Sequence, residues 1–184
     1  MQFKWVPAFA GTIVRALVLL LTACAAAQDT PYLVRYEPSP PQVVSAMLEL
    51  AAVSEKDVVY DLGCGDGRIV IEAAKRYGAR GVCVDIDPRR IAEARANAAQ
   101  AGVAQKIDFR KEDLMRSDLR EATAVMLFLS YDLNLALRPK LERELPAGAR
   151  VVSHWHRMGD WPPERTIYVQ DAVRSREVFL WIKR

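Results

Sequence analysis

The residues best suited to chemistry cluster in Val58-Val59-Tyr60-Asp61-Leu62-Gly63-Cys64-Gly65-Asp66-Gly67-Arg68. An apolar run ends in a carboxylate, and three glycines follow at alternate positions. Glycines so spaced let the backbone take positive φ and let a ligand approach where a Cβ would collide. A dinucleotide-binding loop has the spacing G-x-G-x-x-G and seats a pyrophosphate on the helix that follows. Here the third glycine, Gly67, comes one residue early, and Asp61 lies two residues before Gly63. A carboxylate there suits a cationic group better than a pyrophosphate. About twenty residues beyond the loop, Asp85 closes a second apolar run, where an acid accepts hydrogen bonds from ribose hydroxyls.

These groups need rigid elements to hold them. Val58–Tyr60 reads as a short buried strand, since β-branched and aromatic residues suit a pleated surface. Val70, Ala73, Ala74 and Tyr77 fall on one face of a helix that Asp66 can cap and Gly78 can end. Gly81–Asp85 reads as the second strand, and Asp87-Pro88 opens an alanine-rich helix reaching Gln100. Lys106–Arg110 alternates as a third strand, while Thr123–Leu129 is continuously apolar, as a central parallel strand should be. Ser130-Tyr131-Asp132-Leu133-Asn134 follows at its carboxyl end, where open α/β sheets bind ligands. Ser130, Tyr131 and Asn134 are candidates to line the site, and Asp132 reads as the cap of a helix running to Leu137.

The fifth strand is expected over residues 149–156, with His154 and His156 on one face. No cysteine or carboxylate completes a metal set around them, so no metal is expected. Residues 165–170 and 177–183 alternate as a closing antiparallel pair. Before the first strand, Ser39 and its prolines start a helix carrying Val43, Val44, Met47, Leu48 and Ala51. The pattern predicts an α/β fold, a Rossmann-like doubly wound seven-stranded sheet, mostly parallel with an antiparallel C-terminal strand.

Composition narrows the class. Hydrophobic residues make up 51% and charged residues 27%, the proportions of an ordinary globular protein. Residues 1–27 are foreign to the rest: Lys4 and Arg15 precede an apolar run that ends in small residues, the pattern of a secretory signal. Leu21-Thr22-Ala23-Cys24 also resembles a bacterial lipobox, so the expectation is an exported or membrane-anchored protein, with a cytoplasmic domain as the alternative. Residues 28–184 then make a single domain. Removing Lys4 and Arg15 takes most of the net charge of +3 with them. With no basic stripe left, nucleic-acid binding is not expected. Cys64 and Cys83 read as small buried fillers, with no bridge between them.

The loop residues Asp61-Leu62-Gly63-Cys64-Gly65 resemble the first motif of class I, seven-β-strand S-adenosylmethionine methyltransferases. The resemblance narrows to the small protein-lysine methyltransferases of archaea, bacteria and mitochondria, whose mitochondrial members act on the adenine nucleotide translocase and the ATP synthase c subunit. It covers most of residues 36–182. It rests on Tyr36-Glu37-Pro38-Ser39-Pro40, Val59 through Arg68, Leu137-Arg138-Pro139-Lys140-Leu141 and Arg150-Val151-Val152-Ser153-His154.

The resemblance implies S-adenosylmethionine as cofactor, held by Asp61, Gly63, Gly65, Asp66, Gly67 and Asp85. Ile86, Asp113 and Leu114 would meet its adenine, and Tyr36 and Ser39 would belong to a lid. It also implies a protein lysine as acceptor, oriented by Ser130, Tyr131 and Asn134, and a monomer. Ser130-Tyr131 departs from the more apolar pair expected there. Small-molecule methylation, and a membrane-tethered protein keeping the fold without turnover, are the alternatives.

Overall fold

The computed structural model describes residues 36–184. Its elements are α1 (Pro41–Leu50), β1 (Val58–Leu62), α2 (Arg68–Tyr77), β2 (Arg80–Asp85), α3 (Pro88–Gln100), β3 (Ile107–Lys111), β4 (Ala124–Leu127), α4 (Tyr131–Glu144), β5 (Arg150–His154), β6 (Arg165–Gln170) and β7 (Ser175–Ile182). The leader expected over residues 1–27 lies outside the described residues. Among those described, no helix is long and apolar enough to cross a membrane.

The seven strands lie in the order β3-β2-β1-β4-β5-β7-β6. The first five run parallel, and β7 inserts antiparallel between β5 and β6. Alternation along the strands sorts the core into two layers. Tyr60, Leu62, Val125, Leu127 and Val151 pack with Leu133, Leu137 and Leu141 of α4 on one face. Val59, Ala124, Met126 and Val152 pack with Val43, Met47 and Leu48 of α1 and Ile69 and Ala73 of α2 on the other. With helices on both faces, β4 is buried throughout and β1 is buried from Val59 onward, so both read as apolar runs, broken in β1 only by Asp61.

The order reverses at β1: β2 and β3 lie on one side of it, β4 and β5 on the other. Loops leaving β1 and β4 therefore diverge at their carboxyl ends and leave a crevice there. The candidate site residues from Asp61 to Ser130 sit at or just past the carboxyl ends of strands, with Gly67 at the head of α2, and Tyr131 and Asn134 lie in the first turn of α4.

Three local expectations are corrected. The cap of α2 is Gly67 at φ 78°, because Asp66 is engaged with Arg68. The cap of α4 is Ser130, whose Oγ accepts the Leu133 N–H at 3.2 Å, leaving Asp132 in the first turn. Strand β5 stops at His154, so His154 and His156 do not share a strand face.

Candidate active site

The loop after β1 is moulded by its neighbours. The Gly63 and Cys64 N–H groups both donate to the Val84 carbonyl, at 2.8 and 3.0 Å, tying the loop to the end of β2. Gly63 and Gly65 have φ of 85° and 55°. A Cβ on Gly63 would lie 2.9 Å from Leu129, and one on Gly65 would lie 2.5 Å from the Tyr36 ring. Both positions thus require glycine for conformation and for space.

Asp61 is 3% exposed at the end of β1. Burial, with the Asp85 and Asp66 carboxylates nearby, pushes its own carboxyl up to about 8. Among the described residues no cation or donor compensates it. A buried acid in this condition is a ready receptor for a ligand cation. Asp85 is held on both sides: its Oδ2 accepts from the Gly65 N–H and its Oδ1 from the Asp87 N–H, each at 2.9 Å. Its carboxylate is thereby fixed at the carboxyl end of β2. Ile86 beyond it is exposed. Asp113 follows β3, half-buried, with Oδ1 accepting the Met115 N–H at 2.9 Å, and Leu114 packs against the main core.

Residues 36–40 cross over the glycine loop. The Tyr36 ring lies on Gly65, with the Arg90 guanidinium 3.7 Å from its centroid on α3. Arg68 donates to the Ser39 carbonyl at 2.8 Å, and its guanidinium also pairs with Asp66 at 2.6 Å. Ser39 Oγ hydrogen-bonds His154 Nδ1 at 3.0 Å. This segment is therefore fastened to α2, α3 and β5 together. Arg68, Arg90 and His154 were not legible as site residues, since single charged or imidazole side chains carry no spacing signal.

On the acceptor side, Ser130 Oγ accepts the Leu133 N–H as the cap of α4, which leaves its O–H free to donate. Asn134 is fully buried, its Nδ2 donating to Ser153 Oγ at 3.1 Å and to the His156 carbonyl at 3.0 Å. These bonds tie the turn after β5 to the start of α4, while Asn134 Oδ1 is buried without a hydrogen-bond partner among the described residues. Tyr131 stays exposed. Phe128, just past β4, stacks on His154 with centroids 3.9 Å apart. The His154 imidazole is fully buried, and burial, reinforced by Arg176, His156 and Arg174, lowers its pKa to about 4; Asp171 opposes them. It is neutral near pH 7.

Cys64 and Cys83 are joined in a disulfide. The buried-filler expectation is right about burial and wrong about bonding. Strand pairing sets Asp61 opposite Cys83, and the loop folds back over β2, bringing two cysteines 19 residues apart to a Cα separation of 5.3 Å.

A switch-point crevice, a glycine cradle, an uncompensated buried acid and a fixed second carboxylate define a class I methyltransferase that uses S-adenosylmethionine. The residues fit that cofactor: the cradle admits no side chain at Gly63 or Gly65, and Asp61 lacks the counter-charge an ammonium would bring. The chain belongs to the ANTKMT methyltransferase domain family, which matches residues 61–165.

It is 45% identical over 150 residues to a protein-lysine N-methyltransferase of Saccharolobus islandicus, covering 81% of this chain and 93% of that one. It is 38% identical over 104 residues to the mouse adenine nucleotide translocase lysine N-methyltransferase, covering 56% of this chain but only 45% of the mouse protein. A crystal structure from Salinibacter ruber, described as an RNA methyltransferase bound to S-adenosyl-L-homocysteine, superposes with a TM-score of 0.75 at 49% identity. That match covers 79% of this chain and 93% of the other.

Proposed function

We propose that this methyltransferase modifies the side-chain amine of a lysine in a protein. The observation that carries this reading is the 45% identity to the Saccharolobus islandicus lysine methyltransferase across 93% of its length. In this reading Asp61 receives the ammonium of the methionine part of the cofactor and Asp85 the ribose hydroxyls. Ile86, Asp113 and Leu114 border the adenine. Gly63, Gly65, Asp66 and Gly67 form the cradle, and Tyr36 and Ser39 close over it.

When bound, S-adenosylmethionine supplies an electrophilic methyl group on a sulfonium. The protein has to hold an amine in line with that carbon and exclude water, which supply most of the rate gain in a displacement of this kind. The amine must arrive without its proton, and Tyr131, beside the crevice, is an exposed group able to orient it. Ser130 and Asn134 act by fixing the elements around it.

RNA is the second reading, favoured by the description of the Salinibacter ruber protein. Against it stands the charge pattern: several arginines at the carboxyl end of the sheet are paired, Arg68 with Asp66 and Arg176 with Asp171. Incubation with methyl-tritiated donor, cellular protein in one arm and cellular RNA in the other, separates the two. Label recovered as methyl-lysine after hydrolysis supports the proposal, and label confined to RNA overturns it. The basic, then apolar, then small-residue order of residues 1–27 supports a leader that carries the domain to a membrane or beyond it. Mass spectrometry of the mature N-terminus tests that part.

A further inference from the structure

We infer that Trp155 is the side chain against which the methyl acceptor packs, its indole forming one wall of the path by which a lysine reaches the donor. The inference rests on the protein-lysine reading. Among the described residues only Ala52 and Trp155 combine a side chain with positive φ, at 49° and 73°. Ala52 lies just past the end of α1, where a left-handed residue is ordinary. A bulky aromatic in that region is a true outlier, because the backbone crowds its Cβ. Such strain persists only where the surroundings impose it, and it collects at functional sites.

Here three hydrogen bonds impose it. The Trp155 N–H donates to the Glu177 carbonyl at 2.8 Å, and the His156 N–H turns back to the His154 carbonyl at 2.9 Å. Asn134 Nδ2 holds the His156 carbonyl from α4 at 3.0 Å. Together they make a three-residue turn of the rare positive-φ kind. Glycine would fit it without strain, yet the chain places its largest side chain there.

The turn halts β5 and leaves the indole 36% exposed at the carboxyl end of the sheet. The ring meets His154 edge to face, with centroids 6.5 Å apart, and His154 in turn stacks on Phe128 beyond β4. A row of aromatic rings thus runs from Trp155 toward β1 and Asp61. With strands about 4.8 Å apart, β5 lies about 10 Å from β1. That is a distance a lysine side chain and the donor can bridge between them.

A flat indole suits the alkyl stem of lysine and, near its face, an ammonium. The ring's affinity for cations is already visible in Arg174, whose guanidinium sits 4.6 Å from the centroid. That side chain is half exposed and 3.9 Å from Glu37, and Arg176, paired with Asp171, lies 5.8 Å from the same centroid. Exposed Tyr131 and Leu135 of α4 complete an apolar rim at the same end of the sheet.

The test uses full-length protein, methyl-tritiated donor and a whole-cell protein extract as acceptor, with methyl-lysine counted after hydrolysis. Trp155→Gly relieves the backbone, so its melting temperature should equal or exceed that of the wild type. Its affinity for the donor should stay within twofold. The extract concentration giving half-maximal labelling should rise at least tenfold, and Trp155→Phe should recover much of that loss. Half-saturation within twofold of wild type in Trp155→Gly would overturn the inference, as would a parallel loss of donor affinity. Should Trp155→Gly fail to fold, Trp155→Gln is judged by the same two criteria. Wild-type protein that labels no lysine would overturn the protein-lysine reading itself, an outcome distinct from a wild type that labels lysine and a variant that labels it equally well.

Discussion

The Asp85 carboxylate accepts the Gly65 N–H at 2.9 Å across 20 residues of chain, which locks the glycine loop to the end of β2 before any ligand binds. One oxygen therefore serves the loop and the other the Asp87 N–H. A charged acceptor so oriented can still take hydroxyl donors, since each carboxylate oxygen offers two lone pairs. Asp85→Ala removes the proposed hydroxyl acceptor and the loop's anchor together. Hydrogen bonds to charged groups contribute roughly 1.5–3 kcal/mol, so donor affinity should fall roughly 12- to 150-fold. Titration calorimetry with S-adenosylmethionine measures it, and an unchanged dissociation constant would remove Asp85 from the cofactor site.

Asp61 should make donor binding depend on pH. In the free protein its carboxyl is pushed up to about 8, so below that pH it holds a proton. A bound ammonium favours the carboxylate, so binding between pH 6 and 8 must release that proton. Affinity should therefore rise about tenfold per unit as pH climbs from 6 toward 8. Calorimetry in buffers of different ionisation enthalpy counts the proton, and Asp61→Asn should abolish both the release and the slope. For folding the sign is opposite. The native state binds the proton more tightly than the unfolded chain, so this group's contribution to stability declines as pH rises from about 4 to 8.

The disulfide should stiffen the cofactor site. Cys64 lies inside the glycine loop, and Cys83 lies two residues before Asp85. Closing a loop of this size stabilises the fold by about 3 kcal/mol through the unfolded chain. Dithiothreitol, itself oxidised to its cyclic disulfide as it delivers two thiols to the protein, should lower the melting temperature by roughly 10 °C. Donor affinity should fall with it. A melting temperature unchanged by the reductant, with both thiols shown free by mass, would deny the bridge this role.

At the opposite end of the sheet, a buried ionic cluster should govern stability without touching the site. Asp57, just before β1, accepts from Thr123 Oγ1 at 2.6 Å and the Ser54 N–H at 2.7 Å, and pairs with Arg150 at the start of β5. Burial alone would raise its pKa, but the hydrogen bonds from Thr123, Ser54 and Arg150 outweigh it and hold the pKa below the ordinary value. Its stabilisation is complete above the unfolded pKa of about 3.9 and is lost as pH falls through the lower folded one. Asp57→Ala leaves Arg150 without its counter-charge, on the Ala51 and Thr123 carbonyls alone, and should cost roughly 3 kcal/mol. Denaturant titration reads that loss, while donor affinity in the folded variant stays as in the wild type.

Local pattern reached far in this chain. Continuous apolar runs located β1, β2 and β4, because strands covered by helices on both faces need no polar alternation. The spacing of Gly63, Gly65 and Gly67 after Asp61, and the position of Asp85, marked the carboxyl ends of β1 and β2 as the candidate site. Asp87-Pro88 fixed the start of α3. These features depend on each residue's own backbone and its near neighbours, and so they can be read in order along the chain.

What the tertiary structure decided are relationships across the sheet. Which atoms Asn134 bonds depended on α4 packing against the turn after β5, which engages its Nδ2 with Ser153 and the His156 carbonyl. The union of Cys64 and Cys83 depended on the loop folding back over β2. Ser39 was read as a helix start, but the cap of α1 is Pro40 and the Ser39 hydroxyl goes to His154, 115 residues away. The left-handed turn at Trp155 had no herald at all. Nothing about tryptophan favours positive φ, and it is imposed by hydrogen bonds from β7 and α4 that exist only once the sheet has closed.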